Sequence, residues 1–153
     1  MTAADPYDLQ RFIDAQRDVY TRAQAELRAG RKESHWMWYI FPQISGLGHS
    51  ATAQKYAILT LDEAKAYLNH PVLGNRLREC TRLVTSVNGA SIEDIFGYPD
   101  HLKFHSSMTL FAHATGDAQS FLDALKKYFR SEFDTKTIER LGGASAFSRN
   151  GSR

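Results

Sequence analysis

The stretch 34–43 reads Ser-His-Trp-Met-Trp-Tyr-Ile-Phe-Pro-Gln and holds both tryptophans of the chain. Side chains able to donate, accept or move a proton are interleaved with it or follow closely: His35, Gln43, Ser45, His49 and Ser50. An indole offers a flat apolar face that stacks on a planar ligand such as a nucleobase or a nicotinamide ring. The competing reading is that these rings fill the core. Strand-like alternation would send Trp36 and Trp38 to one side and Met37 and Tyr39 to the other, so one face could be core and the other meet a ligand. His35, wedged beside Trp36, is the candidate general acid or base; the alternative is a buried, hydrogen-bonded histidine.

Gly46-Leu47-Gly48-His49-Ser50 stands ahead of a helix start. Glycines there free backbone N–H groups to receive an anion, aided by the helix dipole. The pattern lacks the Gly-Lys-Ser/Thr ending of a Walker loop and the third glycine of a dinucleotide fingerprint, so a plain turn and cap competes with it. Further on, Lys103, Ser106 and Ser107 lie three and four residues apart and can share a helical face, where they would clasp a phosphate or carboxylate. A solvated lysine beside small packing serines is the bland alternative. His101 and His105 have chelating spacing, but no third ligand follows and no metal is expected. A triad of Ser107, His105 and Asp100 fails because His105 and Ser107 point to different sides of a helix. No cofactor fingerprint is present, and none is assigned.

These groups need elements to hold them. Asp5-Pro6 reads as a cap and first position of a helix over about 6–29, with Leu9, Phe12, Ile13, Gln16, Tyr20, Ala23 and Leu27 on one stripe. The aromatic stretch reads as an extended or irregular buried segment ended by Phe41-Pro42. Ser50 caps a short helix to about 57, and Thr60-Leu61-Asp62-Glu63 is a capping box. Asn69-His70-Pro71 opens a helix to about 88, whose stripe includes Cys80, read as a small core residue. Ser91-Ile92-Glu93-Asp94 opens one or two turns. A pattern from Tyr98-Pro99-Asp100 to about 113–115 falls into one or two pieces. Phe121 to Phe129 and Asp134 onward complete the count. The expectation is one all-α domain, 5–141, of about seven or eight helices with an irregular buried aromatic segment, and a frayed polar tail over 142–153.

Composition narrows the partners. At 153 residues the chain fits one domain. Nineteen Lys plus Arg against seventeen Asp plus Glu leave +2, which argues against nucleic acid and an anionic membrane. One cysteine allows no internal disulfide, and the first residues do not form a signal peptide, so a cytoplasmic location is expected. The longest apolar run is too short to span a bilayer. No pattern specifies an oligomeric state.

The 34–43 string with Gly46-Leu47-Gly48 resembles the hallmark of a bacterial family, domain of unknown function eighteen-ten. So do Glu63-Ala64-Lys65-Ala66-Tyr67-Leu68, His70-Pro71-Val72-Leu73-Gly74, Ile95-Phe96-Gly97 and the string Lys103-Phe104-His105-Ser106-Ser107-Met108-Thr109-Leu110-Phe111. The resemblance implies a compact, mainly helical cytoplasmic domain and carries over no catalytic residues. Some relatives bear the label calpastatin, an inhibitor type that is long, repetitive and disordered, unlike this chain.

The reading that unites these features is a pocket for a small, planar, anionic ligand of nucleotide or ADP-ribose-like type, with His35 as the proton-transfer group. Trp36, Trp38, Gln43, Gly46, Gly48, Ser50, Lys103, Ser106 and Ser107 would bind that ligand. The alternatives are a non-enzymatic protein-interaction module and a weak RNA binder.

Overall fold

Residues 104–112 carry no charged side chain and are apolar or small on every side apart from His105, so the helix that contains them has to lie inside. In the computed structural model, which describes residues 4–142, that helix is α8, Asp100–Ala112, and Phe104 and Ser106 through Ala112 are buried. Around it run α1 (Gln10–Gln16), α2 (Tyr20–Arg28), α3 (Met37–Ile40), α4 (Ala51–Lys55), α5 (Leu61–Asn69), α6 (Leu73–Thr85), α7 (Ile92–Phe96), α9 (Gln119–Phe129) and α10 (Thr135–Arg140). Helices α5, α7, α9 and α10 pack directly on α8, while α6 bridges α2, α5 and α9. The domain is all-α as expected, with ten helices among the described residues. The expectation of a frayed tail falls, from 143 onward, outside them.

Local chemistry accounts for most boundaries. Ser50, Thr60, Ser91 and Asp134 each accept a hydrogen bond from the backbone N–H three residues on. Ser91 and Asp94 form a full reciprocal capping box. At Thr60 the reciprocal half is missing, because Glu63 turns its carboxylate to the Leu59 N–H and to Arg11.

Two expectations are corrected, and one that was left open is decided. The single helix over 6–29 is two, and Asp5 is not its N-cap: Asp8 sits at φ +51° and delays the start to Gln10 after Leu9, while the Asp5 carboxylate accepts from the Leu9 and Gln10 N–H groups. The chain then turns at 17–19 through a Val19 N–H to Gln16 carbonyl bond, where Asp18 and Val19 are weak helix formers. The α8 pattern is one piece. The aromatic stretch contains one helical turn, α3, that buries Met37, Ile40 and Phe41 together. Helical rotation sets Trp36 and Trp38 roughly 200° apart instead of on the same side. Trp36 is fully buried against Phe41 and Phe96, which in turn pack edge-on or stacked with Phe104 at 5.0 and 4.9 Å. Trp38 stays half-buried.

Candidate functional site

The loop after α3 is held in place by backbone pairing and by one arginine. Ser45 N–H donates to the Ile58 carbonyl and Ile58 N–H to that of Gln43, each at 2.8 Å, forming an isolated parallel bridge. Arg140 Nε donates to the Ser45 carbonyl at 3.0 Å, and its guanidinium lies where a Cβ on Gly46 would stand, 2.0 Å away. Gly46 is at φ +94°, a backbone conformation that favours glycine, whereas the Arg140 guanidinium could swing aside from a Cβ. Gly48 folds against α4; a Cβ there would lie 2.7 Å from that of Ala53.

Two adjoining hollows open beside this loop. The smaller, about 180 Å³, is walled by Met37, Trp38, Phe41, Ile44, Tyr56 and Ala57, with Gly46 and Gln54 at its edge. The larger, about 750 Å³, runs between the loop, α8 and the start of α10, past Leu47, His49, Ser50, Leu102, His105, Ser106 and Asp134. Trp38, Gln43, Gly48, Ala53 and Lys103 line both.

Charge at the shared wall is arranged around Asp100. Its carboxylate meets Lys32 Nζ at 2.9 Å and Lys103 Nζ at 3.5 Å. Each ammonium also lies over an indole: Lys32 over Trp36 at 5.2 Å and Lys103 over Trp38 at 5.0 Å. Two ammonium groups share this one carboxylate, and the larger hollow is also lined by Glu132, Asp134 and Lys136. Of the two lysines on Asp100, Lys32 is 8% exposed, so the one available to the cleft is Lys103, at 26%.

The residues singled out from the sequence divide accordingly. The fold brings Trp38, Gln43, Gly48, Ser50, Lys103 and Ser106 to the larger hollow, and Gly46 to the smaller. Ser106 is already engaged, donating to the Leu102 carbonyl at 3.2 Å and Asp134 Oδ2 at 3.0 Å. Ser50 is engaged as the α4 cap. Three residues do not join. His35 is exposed and lines neither hollow. Trp36 is sealed in the core by the α3 turn, its indole N–H donating to Glu26. Ser107 lies at no exposure inside α8, with a hydroxyl that has no hydrogen-bond partner.

His105 takes the position in the cleft that His35 does not. Its ring stacks on Phe129 at 4.0 Å with 3° between planes, and Nε2 lies 2.8 Å from the Glu132 carbonyl. A carbonyl only accepts, so Nε2 carries the hydrogen and Nδ1 is left as the basic nitrogen. His101 is turned to the Gly97 carbonyl instead of joining His105 as a metal ligand. Among the described residues no group of three His, Cys, Asp or Glu could hold a metal ion. Cys80 is buried, and burial pushes its thiol up to about 12, far from a reactive thiolate. Asp134 was legible only as a helix cap; that α10 closes the cleft has no local signal, since it follows from how α10 packs on α8.

Among the described residues, no helix is long and apolar enough to cross a membrane. The chain is similar to the conserved hypothetical protein Rv1873 from Mycobacterium tuberculosis, at 55% identity over 90% of this chain and 98% of that one, with a TM-score of 0.89. No curated protein matches it. The family described as protein of unknown function (DUF1810) matches residues 6–141, a span that includes every wall of the cleft. The chain therefore belongs to the DUF1810 family.

Proposed function

We propose that the cleft binds a small, planar, anionic metabolite of the nucleotide or ADP-ribose-like class, in a reducing cytoplasm where the lone buried cysteine needs no partner. The observation that carries this reading is the Lys103 ammonium set over the Trp38 ring on the wall shared by both hollows. An aromatic face and a partly exposed cation at one point are the two elements that a ring with an anionic tail requires. The larger hollow lies within the size range of metabolite pockets. His49 and His105 both line the larger hollow, so proton transfer, if the bound molecule reacts, falls to one of these and not to His35.

The test is thermal unfolding and indole fluorescence with nucleotides and nicotinamide derivatives at millimolar concentration. A ligand at a hundred times its Kd stabilises by about 2.7 kcal/mol. Trp38→Leu and Lys103→Met are expected to abolish the shift while leaving the unliganded fold intact. No shift and no quenching with any of these ligands removes the reading.

A protein-interaction role draws on one observation of its own. Tyr98, 82% exposed, and Leu102, 47% exposed, lie at or next to the rim of the larger hollow. The concavity beside them favours a small ligand over a flat partner. Weak RNA binding would need affinity that falls steeply with salt, and a net charge of +2 does not support it.

A further inference from the structure

Building on the small-molecule reading above, we infer that Asp134 is a specificity-determining residue of the larger hollow. Its free carboxylate oxygen accepts from ribose hydroxyls of the ligand, so the ligand class is one that carries an unmodified ribose diol.

Placement carries the first step. Asp134 is half-buried and lines the larger hollow, not the smaller. Two hydrogen bonds clamp it to α8: its backbone N–H donates to Thr109 Oγ1 at 2.9 Å, and the Ser106 hydroxyl donates to its Oδ2 at 3.0 Å. Thr137 donates its backbone N–H at 3.1 Å and its hydroxyl at 2.6 Å to the same Oδ2. Three donors thus hold one oxygen, while Oδ1 has no hydrogen-bond partner or ion pair among the described residues. A polar group held this firmly, with one acceptor left over, is preorganised for a ligand.

Polarity carries the second. A carboxylate oxygen only accepts, so the ligand group that meets it is a donor and not a phosphate. Of the two lysines along this hollow, Lys136 is exposed and Lys103 lies partly buried over Trp38, which assigns the anionic group to Lys103. Ser106 follows Lys103 by three residues, about 4.5 Å along α8, and its hydroxyl leads directly to Asp134. An anion at Lys103 therefore has a free acceptor roughly one helical turn away. In a nucleotide or ADP-ribose, the donors that lie close to a phosphate are the ribose hydroxyls. An acidic side chain on a ribose hydroxyl is the arrangement that dinucleotide-binding folds also use.

The experiment is calorimetric titration of the full chain with AMP, 2′,3′-dideoxy-AMP, ADP-ribose and inorganic pyrophosphate, repeated on Asp134→Asn, with thermal unfolding to establish that the variant is folded. Asparagine caps a helix as well as aspartate does; its oxygen keeps the three donors and its NH₂ replaces the free acceptor. AMP is expected to bind at least about ten-fold tighter than its dideoxy analogue. Asp134→Asn should weaken AMP and ADP-ribose at least about five-fold, without weakening dideoxy-AMP or pyrophosphate. Equal binding of AMP and dideoxy-AMP by the wild type overturns the ribose assignment even if the variant does not fold. So does a variant that binds AMP and ADP-ribose unchanged, or that loses dideoxy-AMP as much as AMP. Each of these leaves the small-molecule reading standing, whereas silence from all four probes overturns both.

Discussion

The Trp36 indole N–H donates to Glu26 Oε1 at 2.8 Å and completes a set of four hydrogen bonds around one carboxylate. The Glu33 and Ser34 backbone N–H groups donate to the same oxygen at 2.8 and 3.0 Å, and the Ser34 hydroxyl to Oε2 at 2.6 Å. The last turn of α2 thereby fixes the entry to α3, and with it the opposed settings of the two indoles. Without that anchor the aromatic stretch has no reason to present Trp38, and only Trp38, to the cleft.

Glu26 makes stability depend on pH. Desolvation by burial is the largest single influence and pushes its pKa up, but the hydrogen bonds from Ser34, Glu33 and Trp36 together outweigh it and hold the group at about 2, against an ordinary value of 4.5. A depressed folded-state pKa means a contribution fully present above about pH 4.5 and lost as pH falls through about 2. Glu26→Ala should cost about 1.5–3 kcal/mol at pH 7. In urea unfolding, the gap between wild type and variant should narrow from pH 5 to pH 2.5; a gap of constant size would count against the assignment.

Arg11 and Glu63 form a 2.9 Å ion pair at 12% and 2% side-chain exposure. The same guanidinium donates to the Lys55 and Ala57 carbonyls, so it also ties down a wall of the smaller hollow. Removing one member of a buried pair strands the other, at about 3–5 kcal/mol. Arg11→Met should lose that much in chemical denaturation, and Arg11→Met with Glu63→Leu should recover part of it. A double variant as unstable as the sum of the two singles would contradict the pairing.

Gly74 marks where α6 meets the end of α5. A Cβ there would lie 2.0 Å from the Leu68 carbonyl oxygen, a backbone atom that cannot swing aside. Gly74→Ala should therefore destabilise by about 1–3 kcal/mol or more, despite alanine's better helix propensity. An unchanged melting temperature would show that the two helices can separate freely.

Two neighbouring hydroxyls of α8 should behave oppositely. Ser107 is buried without a hydrogen-bond partner, so Ser107→Ala removes an uncompensated polar group and should be neutral or stabilising. Thr109 donates to the His105 carbonyl at 2.9 Å and accepts from Asp134 N–H at 2.9 Å, joining α8 to the start of α10. Thr109→Val keeps the shape and leaves that N–H unsatisfied, at about 1–3 kcal/mol. Guanidinium denaturation of both variants distinguishes them; equal losses would contradict the hydrogen-bond assignment.

The helix caps at Ser50, Thr60, Ser91 and Asp134 were legible in the sequence because a cap is a contact between residues three apart. The break at 17–19 and the α3 turn were not. In a segment as short as Met37–Ile40, apolar residues fit a strand or a helical turn equally well, and packing chooses. The site was partly legible for the same reason. Trp38, Gln43, Gly48 and Lys103 stood out by chemical type, but their chain neighbours His35, Trp36 and Ser107 stood out equally, and type says nothing about which side faces inward.

The amino-acid sequence by itself determined an all-helical domain, its caps, a central apolar helix and the family to which the chain belongs, since each depends on local spacing or on residue strings. Only the tertiary structure decided that Trp36 belongs to the core and Trp38 to a cleft, that Lys32 and Lys103 share Asp100, and that α10 and His105 complete the walls. Those relationships depend on the rotation of one helical turn and on contacts between residues far apart in the chain, neither of which leaves a periodic mark in the sequence.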